Sequence, residues 1–147
     1  MNGVTFLECN DKKLWQPFYK AQKYRATLKG YDRVFAAYLS GSLIACVITS
    51  RLFKNSPHLL LHGLVVATNH QHKGVGHHLT RYALQQVSEE PDIKDITCFC
   101  DAALAGFYHA LGFEPILPSN LTTELTGRFK TYQRYQASLV ALQLNLQ

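Results

Sequence analysis

The sequence predicts a single mixed α/β domain. Strand-like runs rich in β-branched and aromatic residues alternate with stretches of helical periodicity, and 147 residues suit one ordinary domain without room for a second. A chain of this length buries about 68–70% of its unfolded surface, so one core forms without disulfide or metal staples. Hydrophobic residues make up 47% and charged residues 17% of the chain, a balance that excludes a disordered or fibrous protein. Fifteen Lys and Arg against ten Asp and Glu leave a net charge of +5. That excess favours an anionic partner, and it leaves nucleic acid, a membrane surface and a phosphorylated cofactor all open.

The elements follow in order. Residues 4–9 read as a first strand. From 11 to 28, Leu14, Trp15, Phe18, Ala21, Tyr24 and Leu28 recur at helical spacing and Gly30 offers a stop. Pro17 either kinks that helix or opens its regular part. Segments 33–39 and 43–52 are β-rich and flank Ser40-Gly41-Ser42, a hairpin signal. After the loop Lys54-Asn55-Ser56-Pro57, residues 59–67 form a fourth strand, apolar enough to be central.

A polar loop over 68–73 leads into a helix over 74–87, with Val75, Leu79, Tyr82, Ala83 and Gln86 on one stripe. Glu89-Glu90-Pro91-Asp92 closes it. Residues 93–100 read as a fifth strand, 102–111 as a short helix stopped by Gly112, and 113–117 as a sixth strand. Beyond Ser119-Asn120, Leu121, Leu125, Phe129, Tyr132, Val140 and Leu142 fall near a helical period, so the C-terminal segment is expected to be mostly helix.

Four cysteines, Cys9, Cys46, Cys98 and Cys100, are too few for a disulfide scaffold. Cys98 and Cys100 stand two apart in a strand and no second pair lies at zinc spacing, so buried thiols, no metal and a reducing cytoplasm are expected. Met1 is followed by neither a basic start nor a long apolar segment, so no secretory signal is expected. The run 59–67 is far shorter than the ~20 residues of a membrane helix, and His62 interrupts it, so no membrane partner is expected.

The chemistry concentrates in Gly63-Leu-Val-Val-Ala-Thr-Asn-His-Gln-His-Lys-Gly-Val-Gly-His-His-Leu79. Here a buried strand passes through a polar loop into a helix opened by Gly74 and Gly76. Free N–H groups at a helix start carry partial positive charge, and glycines let a phosphate approach the backbone. Lys73 adds a full charge, and His72 and His77 are further donors. A P-loop is absent, and a Rossmann turn would need a third small residue where Leu79 stands. Gln71, Gly74 and Gly76 match Q/R-x-x-G-x-G/A. A glycine-rich helix start with a solvated basic rim is the plain alternative.

About thirty residues on comes Asp101-Ala-Ala-Leu-Ala-Gly-Phe-Tyr108-His-Ala-Leu-Gly112-Phe113. Together the two segments resemble the GNAT superfamily of acyl-CoA-dependent N-acetyltransferases, over roughly residues 33–116. The resemblance implies a mostly antiparallel central sheet with a splayed strand pair and flanking helices. It implies that Gln71, His72, Lys73, Gly74, Val75 and Gly76 line the pyrophosphate of acetyl-CoA. It also implies that the backbone of Leu64, Val65 and Val66 pairs with the pantetheine, and that Tyr108 stands near the thioester sulfur. A phenol of pKa about 10 is protonated at neutral pH, as an acid for a departing thiolate must be. The plain alternative for Tyr108 is a half-buried aromatic on an amphipathic helix.

His62 is the second catalytic candidate. Strand alternation places His62, Leu64 and Val66 on one face. The run Leu61-His62-Gly63-Leu64-Val65-Val66 is similar to the strand of the arylalkylamine acetyltransferases, where a histidine helps deprotonate the amine. An imidazole of pKa near 6.5 can take that proton, directly or through water; a histidine held by hydrogen bonds in the strand layer is the equal alternative. Asp101 occupies a place where many members carry Asn, and is expected to cap the helix that follows or to face the amine. The family's last strand is not visible in the tail.

The expected activity is acetyl transfer from acetyl-CoA to a primary amine of a small molecule, peptide or protein, by direct attack and without a metal. A non-catalytic acyl-CoA-binding regulator is the rival. The expected partners are acetyl-CoA and the amine acceptor, with a second copy of the chain as a further candidate. Nucleic acid is not expected, because solvated helix faces explain the Tyr and Lys interleaving of residues 18–25 and 129–135.

Overall fold

The computed structural model describes residues 1–146. Its elements are β1 (Val4–Glu8), α1 (Lys12–Ala21), β2 (Arg33–Leu39), β3 (Ser42–Arg51), β4 (His58–Val66), α2 (Val75–Ser88), β5 (Asp95–Asp101), α3 (Ala105–His109), β6 (Glu114–Pro115), α4 (Thr123–Gln133) and β7 (Leu139–Asn145). The strands form a mixed, mostly antiparallel sheet in the order β1-β2-β3-β4-β5-β7-β6. Two compact units emerge among the described residues: Met1–Ser50 with His62–Glu90, and Arg51–Leu61 with residues 91–146.

In the first unit, β1 and β3 each pair antiparallel with β2. Ser40 and Gly41 both take left-handed backbone, φ 49° and 80°, the requirement of a two-residue hairpin turn whose twist matches the strands it joins. Asp11 caps α1 by accepting from the Lys13 N–H at 2.9 Å. Pro17 lies inside this helix, which ends at Ala21 rather than running to 28. The reason is its C-terminal lock. The Lys23 N–H reaches the Lys20 carbonyl and the Tyr24 N–H the Tyr19 carbonyl, at 3.1 and 2.9 Å. This Schellman pair requires left-handed backbone at Lys23, whose φ is 61°. Glycine is the usual occupant there, and a side chain costs about 1 kcal/mol. Trp15 and Tyr19 of α1 pack with Val34, Ala36, Cys46 and Ile48 of the sheet. On α2 the buried stripe is Val75, Leu79, Ala83 and Val87, while Tyr82 stacks on Phe6 and meets Phe35 edge-on.

In the second unit, β4 runs parallel to β5 over four registered positions, His58↔Asp95 to Leu61↔Cys98. Then β5 pairs antiparallel with β7 along its whole length, and the two-residue β6 adds to β7. Leu125 and Phe129 of α4 pack with Leu52, Leu60, Leu139 and Ala141.

The tail therefore corrects the expected long helix. Its helix is Thr123–Gln133, capped by Thr122, and Leu139–Asn145 is a strand. Val140 and Leu142 stand two apart, which is strand spacing, and the run Leu139-Val-Ala-Leu finds its ladder partners on β5, some forty residues earlier. This strand, β7, is the one not visible in the sequence. No helix among the described residues is long and apolar enough to cross a membrane.

Candidate functional site

β4 changes character along its length. Leu59, Leu60 and Leu61 are buried, whereas each residue from His62 to Val66 is half-buried. The change coincides with Gly63, held at φ 66°. A left-handed residue interrupts the pleat, so the expected sharing of one face by His62, Leu64 and Val66 cannot be carried across it. Glycine is required here on two counts. A Cβ at Gly63 would lie 3.0 Å from the Tyr24 ring and 3.1 Å from Ile48 Cδ1.

Tyr19 and Tyr24 close over that bend. The Tyr19 hydroxyl donates to the Gly63 carbonyl at 2.7 Å, and the two tyrosine rings stand 5.1 Å apart. Burial holds the Tyr19 phenol well above its ordinary range, so it remains a donor. Tyr24 Oη lies 2.9 Å from His62 Nδ1, and Ser50 Oγ lies 2.7 Å from His62 Nε2. In either neutral tautomer one ring nitrogen donates to a hydroxyl while the other accepts from the second hydroxyl. His62 is thus hydrogen-bonded in the strand layer and also set between two groups that can pass a proton.

The loop after β4 is a single 3₁₀ turn, Thr68–His70, followed by two left-handed residues, His72 at φ 62° and Gly74 at φ 86°. The Gln71 amide donates to the Val66 carbonyl at 2.9 Å and ties the loop back to the strand. Gln71, His72, Lys73 and Gly74 are exposed, and Val75 is buried. Gly74 is the N-cap of α2 and brings no side-chain acceptor to the first-turn N–H groups. A 14-residue helix thus presents its positive end beside Lys73.

Tyr108 belongs to the second unit, on the one-turn helix α3. Its ring lies edge-on to Phe107 and Phe113, with centroids 4.9 and 5.8 Å away. Burial, and then the neighbouring Cys98 and Cys100, push its pKa up, so the phenol holds its proton at any physiological pH. The four cysteines are buried, free thiols. Cys98 is raised by its hydrogen bond with Cys100 and by burial, which makes it a poor nucleophile. Asp101 caps the turn after β5 through the Ala103 N–H at 2.9 Å and accepts from Ser138 and Gln136. The Ser138 bond leads the causes that hold its carboxyl below the usual range.

The candidates His62, Leu64, Val65, Val66 and 71–76 fall together in the first unit. Tyr19, Tyr24 and Ser50 were missed by the sequence reading. Tyr24 is visible there only as one member of a helical stripe, and nothing local links it to a histidine 38 residues away.

Residues 5–113 match the model of the Acetyltransferase (GNAT) family. No curated protein sequence matches the chain. Among solved structures, N-acetylglutamate synthase from Neisseria gonorrhoeae, complexed with coenzyme A and N-acetyl-glutamate, matches with TM-score 0.69 at 14% identity, covering 98% of this chain and 35% of that one. This chain therefore spans about a third of that synthase. The ribosomal-protein-S18-alanine N-acetyltransferase from Escherichia coli matches at TM-score 0.69 and 15% identity, with 97% and 94% of the two chains covered. A spermidine N-acetyltransferase chimera from Vibrio cholerae and hSSAT gives TM-score 0.69 at 12% identity, covering 99% and 96%. At such identities these likenesses speak for the fold. Among the described residues no group of three side chains suited to a metal ion occurs.

Proposed function

The chain belongs to the acetyltransferase (GNAT) family, and we propose that it acts as one catalytic domain transferring an acetyl group from acetyl-CoA to a primary amine by direct attack. The observation that carries this reading is the turn Gln71–Gly76 at the uncapped start of α2, within a chain of that family. Backbone N–H groups there, with Lys73, would hold the pyrophosphate, leaving the backbone of Leu64, Val65 and Val66 to pair with the pantetheine arm. Coenzyme A complexes of the Neisseria synthase support this assignment of the donor.

The amine arrives as an ammonium and must lose a proton before its lone pair can attack. His62 is the base in this reading, with the Tyr24 hydroxyl as the relay. The ammonium proton passes to the Tyr24 oxygen as the Tyr24 proton moves to His62 Nδ1, and the Nε2–H then donates to Ser50 Oγ. The nitrogen lone pair forms the bond to the thioester carbon, and the carbonyl oxygen gathers charge that a backbone N–H near Val66 stabilises. Collapse breaks the carbon–sulfur bond, the departing thiolate takes the Tyr108 proton, and the attacking nitrogen gives its remaining surplus proton to solvent as the amide forms. Solvent returns that proton to Tyr108 and removes the one on His62.

The test is CoA release across a panel of small amines and peptides, with Tyr108→Phe beside the parent. Loss of a general acid lowers turnover about a hundredfold and leaves acetyl-CoA affinity unchanged by calorimetry. Full turnover in Tyr108→Phe would remove the acid from the scheme. Tight acetyl-CoA binding with no turnover of any amine would make the protein an acyl-CoA-binding regulator instead.

A further inference from the structure

Tyr24, whose hydroxyl meets His62, also walls an open groove of about 770 Å³ at the C-terminal end of α1. That volume is ample for a small metabolite. Tyr19, Lys20, Lys23, Tyr24 and Arg25 line it, and none of its lining residues is acidic. Three like charges around one groove repel each other, an arrangement that helps folding in no obvious way and suits a bound anion.

Lys23 carries the strongest sign. It occupies the left-handed position that ends α1, φ 61°, where glycine serves the same Schellman bonds without strain. Here the backbone is strained at a charged residue that lines a groove, which is the pattern expected where a side chain is kept for binding. Because Tyr24 both lines the groove and touches His62, whatever fills the groove lies next to the proton relay.

We propose that this groove binds an oxyanion carried by the acceptor, through Lys23 with Lys20 and Arg25, so that the acceptor is a small amine bearing a carboxylate or phosphate. The inference rests on the acetyl-transfer reading above and names its substrate class. The same charges would repel polyamines, whose second ammonium would have to enter the groove.

The experiment compares matched pairs, phenethylamine with phenylalanine and ethanolamine with phosphoethanolamine, by kcat/KM for CoA release. It uses the parent protein and Lys23→Gly, a change whose backbone preference keeps the fold, so its melting temperature should equal or exceed the parent's. The parent should favour the anionic member of at least one pair tenfold or more, and which pair responds separates carboxylate from phosphate. In Lys23→Gly that preference should fall about fivefold, the worth of one screened charge pair. Equal rates within both pairs, or a preference that survives Lys23→Gly intact, would overturn the proposal while leaving acetyl transfer standing. If no amine is acetylated, the acetyl-transfer reading fails, and the groove is then read by amide NMR. Shifts over residues 16–26 on adding phenylalanine or phosphoethanolamine, lost in Lys23→Gly, would support the anion site; none in the parent would refute it.

Discussion

Replacing Gly63 with alanine should destabilise the protein through two separable effects. The first is backbone strain: at φ 66° an alanine costs about 1 kcal/mol, offset in part by the ~0.4–1 kcal/mol that a less flexible unfolded chain returns. The second is crowding. The new methyl would stand 3.0 and 3.1 Å from two carbons of the Tyr24 ring and 3.1 Å from Ile48 Cδ1. Ile48 is fully buried and the Tyr24 hydroxyl is tied to His62, so neither yields freely; overpacking of this kind costs about 1–3 kcal/mol. The sum is roughly 1–3.5 kcal/mol, or about 3–11 °C in melting temperature for a chain of this length.

Gly41→Ala is the control. Gly41 has φ 80° but nothing within 4 Å of an added Cβ, so it bears only the strain, a net loss of about 1 kcal/mol or less. Urea denaturation of both variants with equal slopes isolates the crowding at Gly63. If the two variants lie within about 0.5 kcal/mol of each other, the packing of Tyr24 over Gly63 is not as described.

Tyr19→Phe should cost about 1–2 kcal/mol in urea, because it leaves the Gly63 carbonyl without its 2.7 Å donor beside a side chain only 1% exposed; an unchanged midpoint would deny that bond a structural role. Asp101 gives a pH dependence. Its carboxyl sits below the ordinary 3.8 through Ser138, the Ala103 N–H and Gln136, so its stabilising effect is present above that value and is lost as pH falls through its lowered pKa. Asp101→Asn should therefore be less stable than the parent near neutrality and converge on it in acid, as read by denaturation between pH 5 and pH 2. Parallel curves would show that the carboxylate charge contributes nothing to that tie.

Much of the architecture was legible because its causes are local. The Ser40-Gly41 turn, the glycine-opened helix after β4 and the Asp101 cap all depend on residues within a few positions of one another. Helical period misled where its spacing was loose. Leu121, Leu125 and Phe129 belong to α4, but Val140 and Leu142 obey the ladder of β5, and β-pairing over forty residues leaves no mark in a local period. The end of α1 was misplaced for a related reason. Tyr24 and Leu28 continue the helical stripe, yet Lys23 turns the chain into left-handed backbone that a lysine does not announce.

The residue chemistry around the candidate site shows the same division. Motif spacing names the turn over 71–76 and the tyrosine of α3, since a helix start and an aromatic position are short-range patterns. The setting of His62 is a convergence of three distant segments: Tyr24 after α1, Ser50 on β3, and the bend at Gly63 that admits the Tyr24 ring. Composition alone records the positive charge as a surplus of five. The folded chain places Lys20, Lys23 and Arg25 around one groove, and so gives part of that surplus a location. Local sequence sets which conformations each segment prefers, whereas side-chain hydrogen bonds and packing across 12 to 44 residues form only when those segments meet.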